Sequence, residues 1–427
     1  MRLHHSGLFT LLLLATAATS PAQTTAAQLQ SDADSLYNTQ LAQDLTTTPA
    51  GPVHDVYAGA LADRGSRFND ALQLLTPLAA DTTLTPAQRA LVLGSLADAH
   101  FKLFHYAQAS SFYDQLFACC TAALPPSLLK DDQDDNTTLK ILASTPPQTI
   151  ALTGQIDVPT HPDPLGSITA DVTVNNITTP WILDTGANIT TITESFAKQL
   201  GLTPLPGTAQ TMGATGAENP LHIAVIPTLT IGTATLHNVV ALILPDANLT
   251  LGPDKKHSYT IPAILGYPVF QSLGIIRFTR DRFLAGPTLP VSGPSSPIYF
   301  DKLCPLVEVS TPAGPRLFLF DSGANATSFF VPYYNDFTAT FAHAKKGKSR
   351  AAGAGGTSES RVYILDPTTL TFANRTLTLH HVGVRTTPVG STSDRYEGSI
   401  GRDILPTVQS LTLDFIHDRL YLGDPIP

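Results

Sequence analysis

Two textures of apolar spacing divide the chain. Across residues 23–120 alanine and leucine return at helical intervals, and Pro77 and Pro86 sit near expected helix boundaries. From about 149 the period falls to two. Ile168-Thr169-Ala170-Asp171-Val172-Thr173-Val174 alternates, Asn175-Asn176 marks a turn, and the next strand runs into Asp184. Between these regions, 121–148 holds Pro125-Pro126, the acidic run Asp131-Asp132-Gln133-Asp134-Asp135 and Pro146-Pro147. That composition buries little and predicts a solvated linker.

The β texture occurs twice. Trp181-Ile182-Leu183-Asp184-Thr185-Gly186-Ala187 is matched by Phe318-Leu319-Phe320-Asp321-Ser322-Gly323-Ala324. Each is an apolar strand ending in an acid, a small hydroxyl residue and a glycine that permits a tight turn. Ile264-Leu265-Gly266 follows the first, and Ser399-Ile400-Gly401 the second. Asp184 to Asp281 and Asp321 to Asp418 both span 97 residues, and the acid-to-glycine spacings are 82 and 80. An internal duplication explains both agreements. Ending a buried strand in a carboxylate is costly unless the acid is hydrogen-bonded or used in chemistry.

Length and composition narrow the field. A chain of 427 residues predicts two or three domains. Net charge of −9 argues against a nucleic-acid partner. Residues 1–22 carry Arg2, an apolar run from Leu8 to Ala18 and Ser20-Pro21-Ala22, the pattern of a cleaved secretory signal. That run is too short to span a bilayer, so an exported protein, periplasmic or extracellular, is expected with no membrane attachment beyond the signal. Three cysteines, two of them adjacent, imply no disulfide framework, and buried free thiols are expected. The Asn-x-Thr triplets reflect threonine richness. The acidic run lacks the glycine and distal glutamate of a calcium loop, and no His-Glu-x-x-His or Gly-x-Ser-x-Gly motif is present. Neither a metal nor a cofactor is expected.

Two carboxylates within reach of each other cannot both ionise cheaply, so a pair shares one proton. The ionised member can activate water while the protonated one polarises a carbonyl, which splits an amide without metal or covalent intermediate.

With Asp184-Thr185-Gly186-Ala187 and Asp321-Ser322-Gly323-Ala324 each followed by its glycine element, residues 149–427 resemble the retropepsin-like aspartic proteases. Ile400-Gly401-Arg402-Asp403-Ile404-Leu405 is similar to the retroviral I-G-R-N-L-L motif. Thr193 to Leu202 resembles the helix after the active-site loop in cellular relatives. The resemblance implies an all-β, bilobal pseudo-dimer with half 1 at 149–290 and half 2 at 291–427, both supplied by one chain. It implies Asp184 and Asp321 as the catalytic dyad, braced by Thr185 and Ser322, with Gly186 and Gly323 allowing close approach. Gly213, Ala214, Thr215 and Gly216, and Gly353, Ala354, Gly355 and Gly356, would form flap tips over an extended peptide. The bulky run Phe329 to Tyr334, and Ser399 where a larger apolar residue is common, imply altered pockets with the catalytic atoms kept.

In the helical region Phe68, Ala71, Leu75 and Leu78 match Tyr106, Ala109, Tyr113 and Leu116 at an offset of 38. This resembles tetratricopeptide (TPR) repeats, whose period is about 34; an ordinary helical bundle is the alternative. The combined expectation is an exported aspartic endopeptidase acting on peptides or unfolded proteins, with a TPR-like N-terminal domain that offers a surface for a protein partner. Its rivals are an inactive peptide-binding pseudo-protease and an interaction protein working through the helices.

Overall fold

Seven helices precede the first strand in the computed structural model, which describes residues 25–213, 216, 218–252, 257–389 and 395–426. The segment read as a signal lies outside the described residues. The helices are α1 (Ala26–Asp34), α2 (Asn38–Leu45), α3 (Pro52–Arg64), α4 (Phe68–Leu75), α5 (Pro86–Lys102), α6 (Tyr106–Cys119) and α7 (Pro126–Leu142). Their starts follow local chemistry. The Thr25 and Thr85 hydroxyls accept the backbone N–H groups of Gln28 and Gln88. Pro52, Pro86 and Pro126 begin their helices, where a missing N–H costs nothing. The first six helices pair into hairpins through three-residue joints. The middle residue of each joint, Leu36, Ser66 or Phe104, is left-handed, with φ of 57°, 50° and 60°. The matched positions from Phe68 to Leu78 and from Tyr106 to Leu116 are all buried.

Residues 126–142 correct the linker reading: they form α7. Asp132 and Asn136 are buried along with Leu139 and Leu142. Asp132 and Asp135 reach the Lys302 ammonium at 2.8 and 2.6 Å, and Asp98 accepts the Lys302 backbone N–H at 3.1 Å. The acidic run is held by a cation some 170 residues away, which no local window could reveal. The cysteine expectation also needs correction, because Cys119 and Cys120 are joined as a disulfide. Cys304 is a buried free thiol. One continuous apolar core includes Leu93, Phe101 and Leu139 of the helices and Trp181, Phe270 and Phe300 of the β region.

In the β region, Ile168–Val174 and Ile177–Leu183 form a hairpin whose turn uses Asn175 and Asn176 at φ 49° and 62°. Asparagine tolerates that conformation better than most residues. Ala263–Leu265 then lies parallel to the second strand, Ile264 facing Ile182. The same arrangement recurs in Cys304–Thr311, Gly314–Phe320 and Gly398–Ile400, with Leu319 facing Ser399. The two units interlock through one sheet. Its central strands, Ile275–Thr279 and Ser410–Asp414, pair antiparallel with Arg277 opposite Thr412. Arg282–Ala285 and then Ile156–Pro159 extend it on one side; Arg419–Leu422 and then Ser295–Asp301 extend it on the other. The second acid-bearing strand, Gly314–Phe320, continues from this sheet, whereas the first, Ile177–Leu183, lies in a separate sheet of its own unit.

Candidate active site

Each acid follows an apolar strand and is fixed by the glycine element eighty residues on. The Asp184 and Asp321 N–H groups donate to Leu265 and Ile400 carbonyls at 3.1 and 3.0 Å. In return Tyr267 and Arg402 donate to Ala187 and Ala324 carbonyls at 2.8 and 2.9 Å. A Cβ on Gly266 or Gly401 would stand 2.5 or 2.6 Å from the backbone of the acidic loop, so only glycine fits. This is the physical reason for the repeated apolar-glycine spacing.

The turns then fold back on their own carboxylates. Asp184 Oδ1 accepts from Gly186 and Ala187 N–H at 2.8 and 3.2 Å. Asp321 Oδ1 accepts from Gly323 and Ala324, both at 2.9 Å. Beneath them the loops are cross-linked. Thr185 Oγ1 donates to the Phe320 carbonyl at 2.9 Å and accepts the Ser322 N–H at 3.0 Å. Ser322 Oγ donates to the Leu183 carbonyl at 2.8 Å and accepts the Thr185 N–H at 3.0 Å. Both hydroxyl residues are buried, so these four bonds form away from water.

The closest approach is made by glycine. A Cβ on Gly186 would lie 2.5 Å from Asp321 Cγ, and one on Gly323 would lie 2.4 Å from Asp184 Cγ. Each carboxylate therefore rests on the opposite turn, and the two acids become neighbours while their tips stay partly open to solvent.

That proximity sets their electrostatics. Burial holds the Asp184 carboxyl well above the usual aspartate range, and the Asp321 charge raises it further. Burial raises Asp321 as well, opposed by the Ala324 and Gly323 N–H groups, the bond to Asp184 and the Arg402 charge. The doubly ionised pair is thus disfavoured.

Over the described part of the expected flaps, the hairpin tips meet. Gly216 donates to the Gly213 carbonyl at 2.9 Å, and Gly353 and Gly356 close the long hairpin of Lys345–Gly353 and Gly356–Leu365. A Cβ on Gly213 would fall 2.0 Å from the Ala354 carbonyl oxygen. Ala214 and Thr215 lie outside the described residues. Two further residues had no role in the sequence reading. Asn248 holds both tips, its side chain donating to Asn219 at 2.5 Å and its carbonyl accepting the Gly355 N–H at 3.0 Å. The Arg402 guanidinium donates to the carbonyls of Gly323 at 3.4 Å and Leu165 at 3.3 Å, clasping one unit to the other. Arg402 stood in a recognisable motif, whereas nothing around Asn248 signalled its position.

Residues 170–269 match the family model described as aspartyl protease. This stretch contains Asp184 and Gly266, the first acid and its glycine partner. The match supports an aspartic protease domain in the β-rich region and, with it, a general aspartic protease function. A search of curated proteins found no match.

Proposed function

We propose that this is an exported aspartic endopeptidase whose two acids, Asp184 and Asp321, come from duplicated halves of one chain. The observation that carries the proposal is the crossed contact of Gly186 beneath Asp321 and Gly323 beneath Asp184. The Thr185–Ser322 brace supports it. Both features recur at an offset of 137 residues, as do the strands Ile177–Leu183 and Gly314–Phe320. The matched elements favour a pseudo-dimer of two retropepsin-like halves.

In the reaction, a water held between the carboxyls loses a proton to the ionised acid as its oxygen adds to the scissile carbonyl carbon. The protonated acid gives its proton to the carbonyl oxygen, leaving a neutral tetrahedral diol. The C–N bond then breaks as the proton taken from water passes to the leaving nitrogen and a diol hydroxyl returns its proton to the acid that first gave one, which leaves a carboxylic acid, an amine and the starting dyad. Arg402 favours charge on Asp321, which makes that acid the base and Asp184 the proton donor in the first step. The leader at 1–22 directs the protein out of the cytoplasm in this reading.

Cleavage of a denatured protein mixture across pH tests the proposal. The expected result is fragmentation by the wild type and loss of at least about a hundredfold in rate for Asp184→Asn and Asp321→Asn alike. Activity surviving either substitution ends the dyad reading. Peptide binding without cleavage by the wild type points to the pseudo-protease instead.

A further inference from the structure

The two flap hairpins differ sharply in charge. The first, Ala209–Met212 with the start of Glu218–Ile231, contains no lysine or arginine between residues 209 and 221 and one acid, Glu218. The second, residues 345–365, contains Lys345, Lys346, Lys348, Arg350 and Arg361 against the single acid Glu359, in a chain whose net charge is −9. All five cations are exposed.

Strand register gathers most of them on one face. Lys346 lies opposite Tyr363, Lys348 opposite Arg361 and Arg350 opposite Glu359. Residues directly opposite in an antiparallel pair project to the same side, and so do positions two apart. Lys346, Lys348, Arg350 and Arg361 therefore share a face, whereas Lys345 lies on the other. Two local partners temper the charge: Lys348 pairs with Glu359 at 2.7 Å, and Lys346 lies 5.6 Å from the Tyr363 ring centre. Among the described residues, Arg350 and Arg361 have no acid of their own on this face beyond the one that Lys348 already engages. Like charges placed side by side are unfavourable, so the hairpin holds a repulsion that an added anion relieves.

Position makes this more than a solvated surface. The tip of the hairpin meets the first flap at Gly213. Arg350 stands three residues from Gly353 and Lys346 seven, roughly 10 and 23 Å along a strand. On the endopeptidase reading the joined tips lie over the dyad, and the cations then recede from them along one flap only. We propose that the second flap selects acidic polypeptides, preferring Asp or Glu three or more residues from the scissile bond on one side of the cut. This rests on the endopeptidase reading of the site. Charge of this kind mainly raises the rate of encounter and falls away with salt.

The test uses the full chain and two matched families of fluorogenic peptides, carrying paired Glu or paired Gln distal to the cut on one side or the other. Kcat/KM is measured at low and at 0.5 M salt for wild type and for the Lys346→Gln/Lys348→Gln/Arg350→Gln variant. The expected result is a Glu-over-Gln ratio of about five- to tenfold on one side and near one on the other. The ratio should collapse in high salt and in the variant. Equal cleavage of Glu and Gln peptides on both sides overturns the proposal, as does a ratio that survives the triple substitution. Fluorescence anisotropy of the same labelled peptides on Asp184→Asn protein reads the preference without turnover. If the wild type cuts nothing yet the Asn variant still favours Glu peptides, the endopeptidase reading fails and the acidic preference stands. Flotation with phosphatidylserine vesicles is the opposing arm: vesicle binding lost in the triple variant, with no peptide preference, assigns the cations to a membrane surface and overturns the proposal.

Discussion

Replacing Ser322 with alanine probes the brace on which the dyad stands. The hydroxyl donates to the Leu183 carbonyl and accepts from the Thr185 N–H, and all three groups are buried. Alanine leaves one backbone donor and one acceptor without partners, each costing roughly 1–3 kcal/mol. The expected loss is therefore about 2–6 kcal/mol, a large share of a domain's stability. Trp181, the chain's single tryptophan, is buried three residues before Asp184 and reports on the affected loop. Urea unfolding followed by its fluorescence should show an earlier transition for Ser322→Ala, with kcat/KM falling as the turns drift apart. Ser322→Thr is the control, since the first half uses threonine at this place; it should retain most of the stability. A loss below about 0.5 kcal/mol with unchanged activity in Ser322→Ala would show that the two bonds of the Ser322 hydroxyl do not hold the site together.

Other perturbations follow from the same contacts. Gly323→Ala puts a methyl group 2.4 Å from Asp184 Cγ and should abolish cleavage while leaving far-ultraviolet circular dichroism unchanged. Burial raises both dyad carboxyls, so the folded state is penalised as pH climbs above the ordinary aspartate range and unpenalised below it. Asp184→Asn should therefore melt higher than wild type at pH 7 but not at pH 3. Arg402→Gln removes a charge that favours ionised Asp321, so the acid limb of the activity profile should move to higher pH. Lys302→Met leaves buried Asp132 and half-buried Asp135 without their cation. It should cost about 3–5 kcal/mol at pH 7, partly regained as pH falls and the acids protonate.

The sequence carried the site more fully than the scaffold around it. Asp184, Asp321 and their glycine partners sit in short motifs whose spacing records a close backbone contact. Such contacts admit one residue type and leave a visible trace. The strand period was legible for the related reason that alternation decides which face is buried. By contrast α7 resembles a linker in sequence because its acids, buried Asp132 and half-buried Asp135, are balanced by Lys302 on a distant β-turn, and its apolar face is no wider than Leu139, Leu142 and their neighbours. The Cys119–Cys120 bond was missed because cysteine counting addresses frameworks and not adjacent pairs. Asn248 escaped for a third reason: its contacts are made by one side-chain amide and one carbonyl, and neither imposes a pattern on its neighbours.

The two β units also differ where each meets its surroundings. Arg402 and Tyr267 follow equivalent glycines and make the same backbone bond to the acidic loop. Arg402 then reaches across to Leu165, in the loop before the first hairpin of the other half. Tyr267 instead packs its ring against Phe300, 5.5 Å between centres, just before the turn at Asp301-Lys302. That turn is where the helical layer docks: Asp132 and Asp135 hold Lys302, and Asp98 holds its backbone. An arginine in place of Tyr267 would have to bury its guanidinium against Phe300 and Phe415 at a fully buried position, a costly arrangement. Docking the helices on one half therefore removes the clasp from that side and leaves Arg402 as a one-sided charge beside the dyad. Two identical subunits could not do this without placing the same layer and the same loss on both. The asymmetry of the site and the attachment of the helices are, on this argument, one structural event.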